Sequence, residues 1–292
     1  MDLLRSFIFV PGNRANMLER AKDFKADVIM VDLEDSVPPG EKMIARDLAK
    51  EWVPTLVREG QRVMVRVNSL DSGLTRQELE AVVSPDLYGI SLGKVESIWN
   101  IRDMDRMLNA IEPSAGVEPG SIKIVAWTET ASALVDARDI GIASSRVIAL
   151  AFGAEDFTND MGIERSDTGD EVLVPRALIP VAARAANVAS LDSPFVLFQD
   201  PDALRADAKR ARQMGYTGKF AIHPSQLDII NETFSPSAEE VAYARKIMEA
   251  WDEAEAAGRG SLAMDGRMVD VPVMKRAQNL LAFADAIEAS TR

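Results

Sequence analysis

A chain of 292 residues with 47% hydrophobic content can bury a large core in one main domain, and none of its apolar runs approaches the roughly 18 residues needed to cross a bilayer. A formal net charge of −13 with no basic stripe argues against nucleic acid, and the lack of cysteine excludes disulfides, thiolate metal sites and thiol nucleophiles, in keeping with a reducing cytoplasm. A single histidine, His223, leaves no Ser-His-Asp relay and no multi-histidine metal site, so the chemistry must use carboxylates, arginine, lysine or a hard cation.

The opening residues, MDLLRSFIFVPG, enter a strand-like segment with no small-residue cleavage site, so the chain reads as soluble and unprocessed. Strand-like runs then recur: SFIFVPG from residue 6, VIMVDLED from 28, RVMVRVN from 62, LYGISLGK from 87, IKIVAWTET from 122, VIALAFGAED from 147, PFVLFQD from 194 and GKFAIHP from 218. Helical spacing separates them. Ile98, Ile101, Met104, Leu108 and Ile111 share one face, and DPDALRADAKRARQMG opens on an aspartate cap and closes on Gly215. Eight strand–helix alternations with continuous apolar strands predict an α/β fold, a parallel (β/α)8 TIM barrel, in preference to a doubly wound open sheet. Near 235, TFSPSAEE joins a proline break to a helix start at Ser237, which divides a barrel domain, 1–235, from a C-terminal helical arm, 236–292. The arm should comprise a polar helix to Ala257, the loop GRGS and a last helix with Val273, Leu280, Leu281 and Ala284 on one face. It needs a surface to bury against, on its own barrel or on a neighbouring subunit.

In such a barrel, active-site residues sit at the C-terminal ends of the strands. Polar residues gather there: Asn13 and Arg14, then Asp32, Glu34 and Asp35, then Arg66 and Asn68, Lys94 and Glu96, Glu129, Glu155 and Asp156, Asp200, and His223. Glu129 and an acid of the Glu155–Asp156 pair end adjacent strands, close enough to share one hard dication, although each is also placed to cap the following helix. Arg66, flanked by valines, must be paired, either with Asp32, Glu34 or Asp35 or with a carbonyl or carboxylate ligand. Arg14 and Arg20, with Lys22 and Lys25, suit a phosphate as well as an ordinary charged surface. His223 reads as a hydrogen-bonding residue beside Pro224. Asp270, between Val269 and Val271, reads as the N-cap of a helix beginning at Pro272.

The motifs RSFIFVPGNR, VIMVDLEDSV, MVRVN, GKVES, the Glu129–Thr130 pair, FGAED, GKFAIHPSQ and DGRMVDVP, spread over residues 5 to 285, resemble the citrate lyase β-subunit-like (HpcH/HpaI aldolase/citrate lyase) proteins, which include malyl-CoA and citramalyl-CoA lyases. The resemblance implies a carbon–carbon lyase acting on a short 3-hydroxyacyl-CoA to give acetyl-CoA and a 2-oxo acid. It implies Mg2+, or Mn2+, on Glu129 and Asp156, and coenzyme A bound as part of the substrate along Phe9, Arg14 and Arg20. Arg66 would bind the acyl group. Asp270 would be the catalytic acid/base, supplied by the arm of an adjacent subunit within a homotrimer or hexamer. A citryl-thioester lyase subunit, a free hydroxy-oxo-acid aldolase and a malyl-CoA thioesterase are the alternatives. Two residues depart from the family pattern, Gly93 where proline is usual and Ala133 where glycine is usual. Ala133 is expected to narrow the space over the metal or to alter the loop after strand five.

Overall fold

Eight parallel strands pair in chain order and close on themselves: β1 (Ser6–Pro11), β2 (Val28–Asp32), β3 (Val63–Val67), β4 (Gly89–Leu92), β5 (Lys123–Thr128), β6 (Val147–Phe152), β7 (Ala189–Asp192) and β8 (Gly218–Ala221), with β8 pairing back to β1. The computed structural model describes residues 2–166 and 168–291. The chain divides into two compact units, Leu4–Ile230 and residues 231–291 with residues 2 and 3. The first unit is the expected barrel, with helices between its strands.

One strand differs from the sequence reading. β7 is the short ASLD run at 189–192, and PFVLFQD is a loop in which Val196, Leu197 and Phe198 are exposed. Local turns, with the Phe198 amide donating to Val196 O at 2.9 Å and the Asp200 amide to Leu197 O at 3.0 Å, use the backbone groups that a strand would pair. Asp200 therefore does not end a strand. It caps the helix Pro201–Met214, its side chain accepting from the Ala203 amide at 2.9 Å.

The interior is filled by alternate residues of each strand: Phe7 from β1, Val28 and Met30 from β2, Met64 from β3, Val125 and Trp127 from β5, Ala149 and Ala151 from β6, Leu191 from β7 and Phe220 from β8. Side chains alternate faces along a strand, so these positions fix which residues look inward at the strand ends. The step after Met30 is Asp32, after Met64 is Arg66, and after Trp127 is Glu129. At the opposite end, Arg146 is buried and satisfied by Glu112 at 2.5 and 2.6 Å, Asp105 at 2.5 Å, Asn109 at 2.8 Å and Ile122 O at 3.1 Å. That network belongs to the end of the barrel where buried charge serves stability.

The second unit contains the helix Ala238–Ala256, an antiparallel hairpin of β9 (Leu262–Met264) and β10 (Arg267–Val269), and the helix Val271–Thr291. Ser237 caps the first helix in a reciprocal capping box with Glu240. The hairpin turns on Asp265 and Gly266, both at positive φ, as an Asp-Gly pair allows. Ile247, Trp251, Val269 and Ala277 form this unit's own core. Among the described residues, no helix is long and apolar enough to cross a membrane.

Candidate active site

A cavity of about 380 Å³ opens at the C-terminal end of the barrel, lined by Phe9, Asp32, Asp35, Arg66, Trp127, Glu129, Gly153, Glu155 and Asp156 among others. A second, of about 340 Å³, is lined by Asp71, Lys94, Glu96, Thr130, Asn159 and Asp160 and again by Glu129 and Asp156. The two carboxylates thus stand on the partition between two spaces. Glu129 comes from the inward register of β5. Asp156 comes from the first turn of the helix Ala154–Met161, which Gly153 starts directly after β6. A Cβ on Gly153 would collide with the Glu129 carboxylate and lie 2.8 Å from the Glu129 Cβ, so the glycine is what lets that side chain occupy its place.

Glu155 and Asp156 have different surroundings. Glu155 is exposed and pairs with Arg165 at 3.0 Å, whereas Asp156 is half-buried and lines both cavities with Glu129. Both acids line the larger cavity, and Asp156 alone of the two also lines the second one with Glu129.

Glu129 is buried, and burial together with the neighbouring Asp156 charge raises its carboxyl to about 8, against one stabilising hydrogen bond, 2.5 Å, from the Lys94 amide. Asp156 is also raised, first by burial and then by Asp35 and Glu155. Of two acids sharing a site, the second to ionise carries the repulsion. Neighbouring acids raised by burial and by like charge are what a cation relieves, and an oxygen-only pair suits a hard dication. Among the described residues, no group of three or more histidine, cysteine, aspartate or glutamate side chains is placed to hold a metal, so this pair would leave the remaining positions to water and substrate.

Arg66 is paired, the first of its two expected roles. Its Nε and Nη2 form a bidentate pair with Asp32 at 2.7 and 2.6 Å, while Nη1 lies 3.4 Å from both Glu34 and Asp35. The guanidinium lies over the Phe9 ring, 4.6 Å from its centroid, and lines the cavity. Asp32 holds the fork at one edge, and Nη1, with only long contacts, keeps capacity for a ligand oxygen. The arginine's pKa is raised by Asp32, Glu34 and Asp35 against the cost of burial, so it stays charged.

Phe9, Arg66, Glu129 and Asp156 are brought to one cavity. Arg14 and Arg20 are not among its lining: they are exposed at the start and end of the short helix Ala15–Arg20. Asp270 lies in the second unit, where its Oδ1 accepts from the Val273 amide at 3.3 Å and its carbonyl from the Met274 amide, capping the helix Val271–Thr291. His223 caps the turn Pro224–Gln226 and stacks on Phe198 at 5.0 Å. Ala133 is buried in the helix Ala131–Val135 and lines neither cavity, so its methyl does not narrow the space at the carboxylates. Sequence reasoning gave no role to the Lys94 backbone. This non-glycine residue sits at φ 53 and aims its amide at Glu129, a strained conformation that no composition or period signals.

A profile of the HpcH/HpaI aldolase/citrate lyase family matches residues 5–224. The chain belongs to that family. Citrate lyase subunit beta of Leuconostoc mesenteroides subsp. cremoris is 36% identical over 284 residues, covering 97% of this chain and 94% of that protein. L-malyl-CoA/beta-methylmalyl-CoA lyase of Cereibacter sphaeroides is 32% identical over 306 residues, covering 98% and 96%. Among solved structures, protein CitE from Mycobacterium tuberculosis in complex with magnesium, acetoacetate and coenzyme A superposes with a TM-score of 0.75 at 27% identity, covering 96% of this chain and 98% of that one. For this HpcH/HpaI family member, the likeness extends past the barrel residues of the profile match and into the second unit.

Proposed function

We propose that this chain is a Mg2+-dependent lyase that cleaves, or in reverse forms, the carbon–carbon bond of a short 3-hydroxyacyl-CoA of the malyl-CoA or citramalyl-CoA class. The observation that carries the reading is the pair Glu129 and Asp156, one register step beyond the barrel's inward layer and at the head of a helix, facing the same cavity as Arg66. The magnesium complex of the CitE structure and the lyase names of the relatives support it.

When bound by the two carboxylates, Mg2+ would supply Lewis acidity toward the hydroxy-acid end of the substrate. The chain's own groups account for the rest. As the carbon–carbon bond breaks, the electron pair passes into the thioester as an enolate, and the fixed positive charge of Arg66 is preorganised to stabilise it through Nη1. Asp32 keeps the guanidinium from reorganising during that step. Phe9 and Trp127 wall the cavity and exclude water from the enolate. Asp270, supplied from the second unit of a neighbouring subunit, takes the hydroxyl proton as the bond breaks and returns it to the enolate carbon to give acetyl-CoA, with the same transfers reversed in condensation. Arg14 and Arg20 receive the phosphates of coenzyme A.

A second reading is a citryl-thioester lyase, favoured by the higher identity to citrate lyase subunit beta, 36% against 32% for the malyl-CoA lyase relative. One experiment separates them. The chain, purified alone, is offered a panel of 3-hydroxyacyl-CoAs with and without EDTA, and acetyl-CoA and the 2-oxo acid are measured. EDTA-sensitive cleavage without a partner supports the lyase, whereas turnover only of a carrier-protein thioester with release of oxaloacetate supports the citrate lyase reading. Charge reversal at Arg14 and Arg20 should raise KM for a CoA thioester, and an unchanged KM would point to a free-acid aldolase.

A further inference from the structure

We infer that Glu34 is a positioning residue for the Glu129–Asp156 pair, acting through the Gly93–Lys94 turn, and that glycine stands at 93 to make room for it. The inference rests on the proposed cation site and assigns a role that site does not itself require.

Glu34 is buried, 4% exposed, and its backbone is pinned from both directions. Its amide donates to Asp32 Oδ1 at 2.9 Å, and its carbonyl accepts from Lys42 Nζ at 2.7 Å. Its carboxylate bridges two cations, with Oε2 3.4 Å from Arg66 Nη1 and Oε1 3.3 Å from Lys94 Nζ. Oε1 makes no hydrogen bond of normal geometry. The three atoms nearest to a Cβ built on Gly93 all belong to that carboxylate: Oε2 at 2.8 Å, Oε1 at 3.0 Å and Cδ at 3.2 Å. Gly93 is not among the glycines at positive φ, so its backbone asks for no glycine. A Cβ there would displace the Glu34 carboxylate from its place between Arg66 and Lys94.

The next residue carries the consequence. Lys94 is held at φ 53, with its ammonium on Glu34 and its amide on Glu129 Oε1 at 2.5 Å. A non-glycine residue keeps that conformation only where its surroundings over-determine it, and Glu34 supplies one of the restraints. Displacing Glu34 frees the turn, and the turn's amide is what aims one oxygen of Glu129. The same carboxylate restrains Nη1 of Arg66, so Glu34 links the cation's ligand to the group that meets the enolate.

The test is a double-mutant cycle read by calorimetric titration of Mg2+ alone into the metal-free full chain, with thermal midpoints measured alongside. Gly93→Ala keeps every charge and should weaken Mg2+ binding about tenfold, as should Glu34→Ala. The double variant should bind no more weakly than Glu34→Ala, because the three atoms nearest to the added methyl are then gone. Glu34→Gln, which retains the shape, should lose less than Glu34→Ala. Wild-type affinity in Gly93→Ala, losses that multiply in the double variant, or equal losses in the Gln and Ala variants overturn the inference. A merely structural role would lower the midpoint and leave the Mg2+ affinity unmoved. If Gly93→Ala does not fold, the Glu34→Ala and Glu34→Gln pair decides by the same criterion. If the wild-type chain itself takes up no Mg2+, the proposed function fails, and the inference is judged by the midpoints: a non-additive cycle upholds the Glu34–Gly93 coupling and an additive one removes it.

Discussion

Glu129 must lose a proton before it can ligate a cation, and its raised carboxyl makes that requirement measurable. With a value of about 8 without metal, it is mostly protonated at pH 7, so Mg2+ binding there should release about one proton. Titration at pH 7 in buffers of different ionisation enthalpy reads that number, and the apparent affinity should rise from pH 6 to 8 and then level. The folded value lies above the ordinary carboxyl value of 4.5, so the contribution of Glu129 to stability is present below that value and is lost as pH rises through about 8. In EDTA, the thermal midpoint should therefore fall between pH 5 and 8, and fall less in Glu129→Gln, whose amide mimics the neutral acid. A midpoint fall of equal size in both proteins would contradict the raised value. Arg66→Lys tests the neighbouring claim. An ammonium cannot keep the bidentate hold on Asp32 while facing the cavity, so kcat should drop about 10²-fold, with the Mg2+ affinity nearly unchanged.

At the scale of strands and turns, the barrel was legible because its strands are continuous apolar runs that alternate with helical spacing. The site was half legible. Glu129 and Arg66 follow from period-two alternation once a strand is placed, since each is the next inward position after Trp127 and Met64. Asp156 could not be separated from Glu155 this way, because both stand in the first turn of a helix and only their tertiary neighbours distinguish them. β7 was missed because Ala189 and Ser190 carry little strand signal beside the louder Phe195–Phe198 run, a loop in which Val196, Leu197 and Phe198 are exposed and Val196 lines the cavity. The Asp265–Gly266 hairpin was missed as well, since the arm was read as two helices and a loop, although the Asp-Gly turn signal stands in the sequence. The β6-to-helix turn makes its own prediction. Gly153→Ala sets a methyl against the Glu129 carboxylate and Cβ, and the Cβ, unlike a side-chain tip, cannot swing away. Mg2+ affinity should fall at least about tenfold, with a lower thermal midpoint, in line with the cost of overpacking. Retained affinity would mean that Glu129 does not occupy this place when the cation binds.

At the scale of the whole molecule, the proposed lyase needs Asp270 at the site, from the same chain or from a neighbour. The residue has a structural duty in its own unit, capping the helix Val271–Thr291, so an alanine there confounds a lost proton donor with a lost cap. Asparagine caps about as well as aspartate and cannot transfer the proton, so Asp270→Asn should leave the thermal midpoint within a degree or two while abolishing most of kcat. Mixing supplies the decisive measurement. Arg66→Lys and Asp270→Asn chains, each nearly inactive, are combined in equal amounts, partly unfolded and reassembled. If each site draws Arg66 from one chain and Asp270 from its neighbour, about a quarter of the sites regain both native residues, and activity returns to about a quarter of wild type. If both residues of a site come from one chain, no arrangement of subunits restores it, and the mixture stays as inactive as its parts.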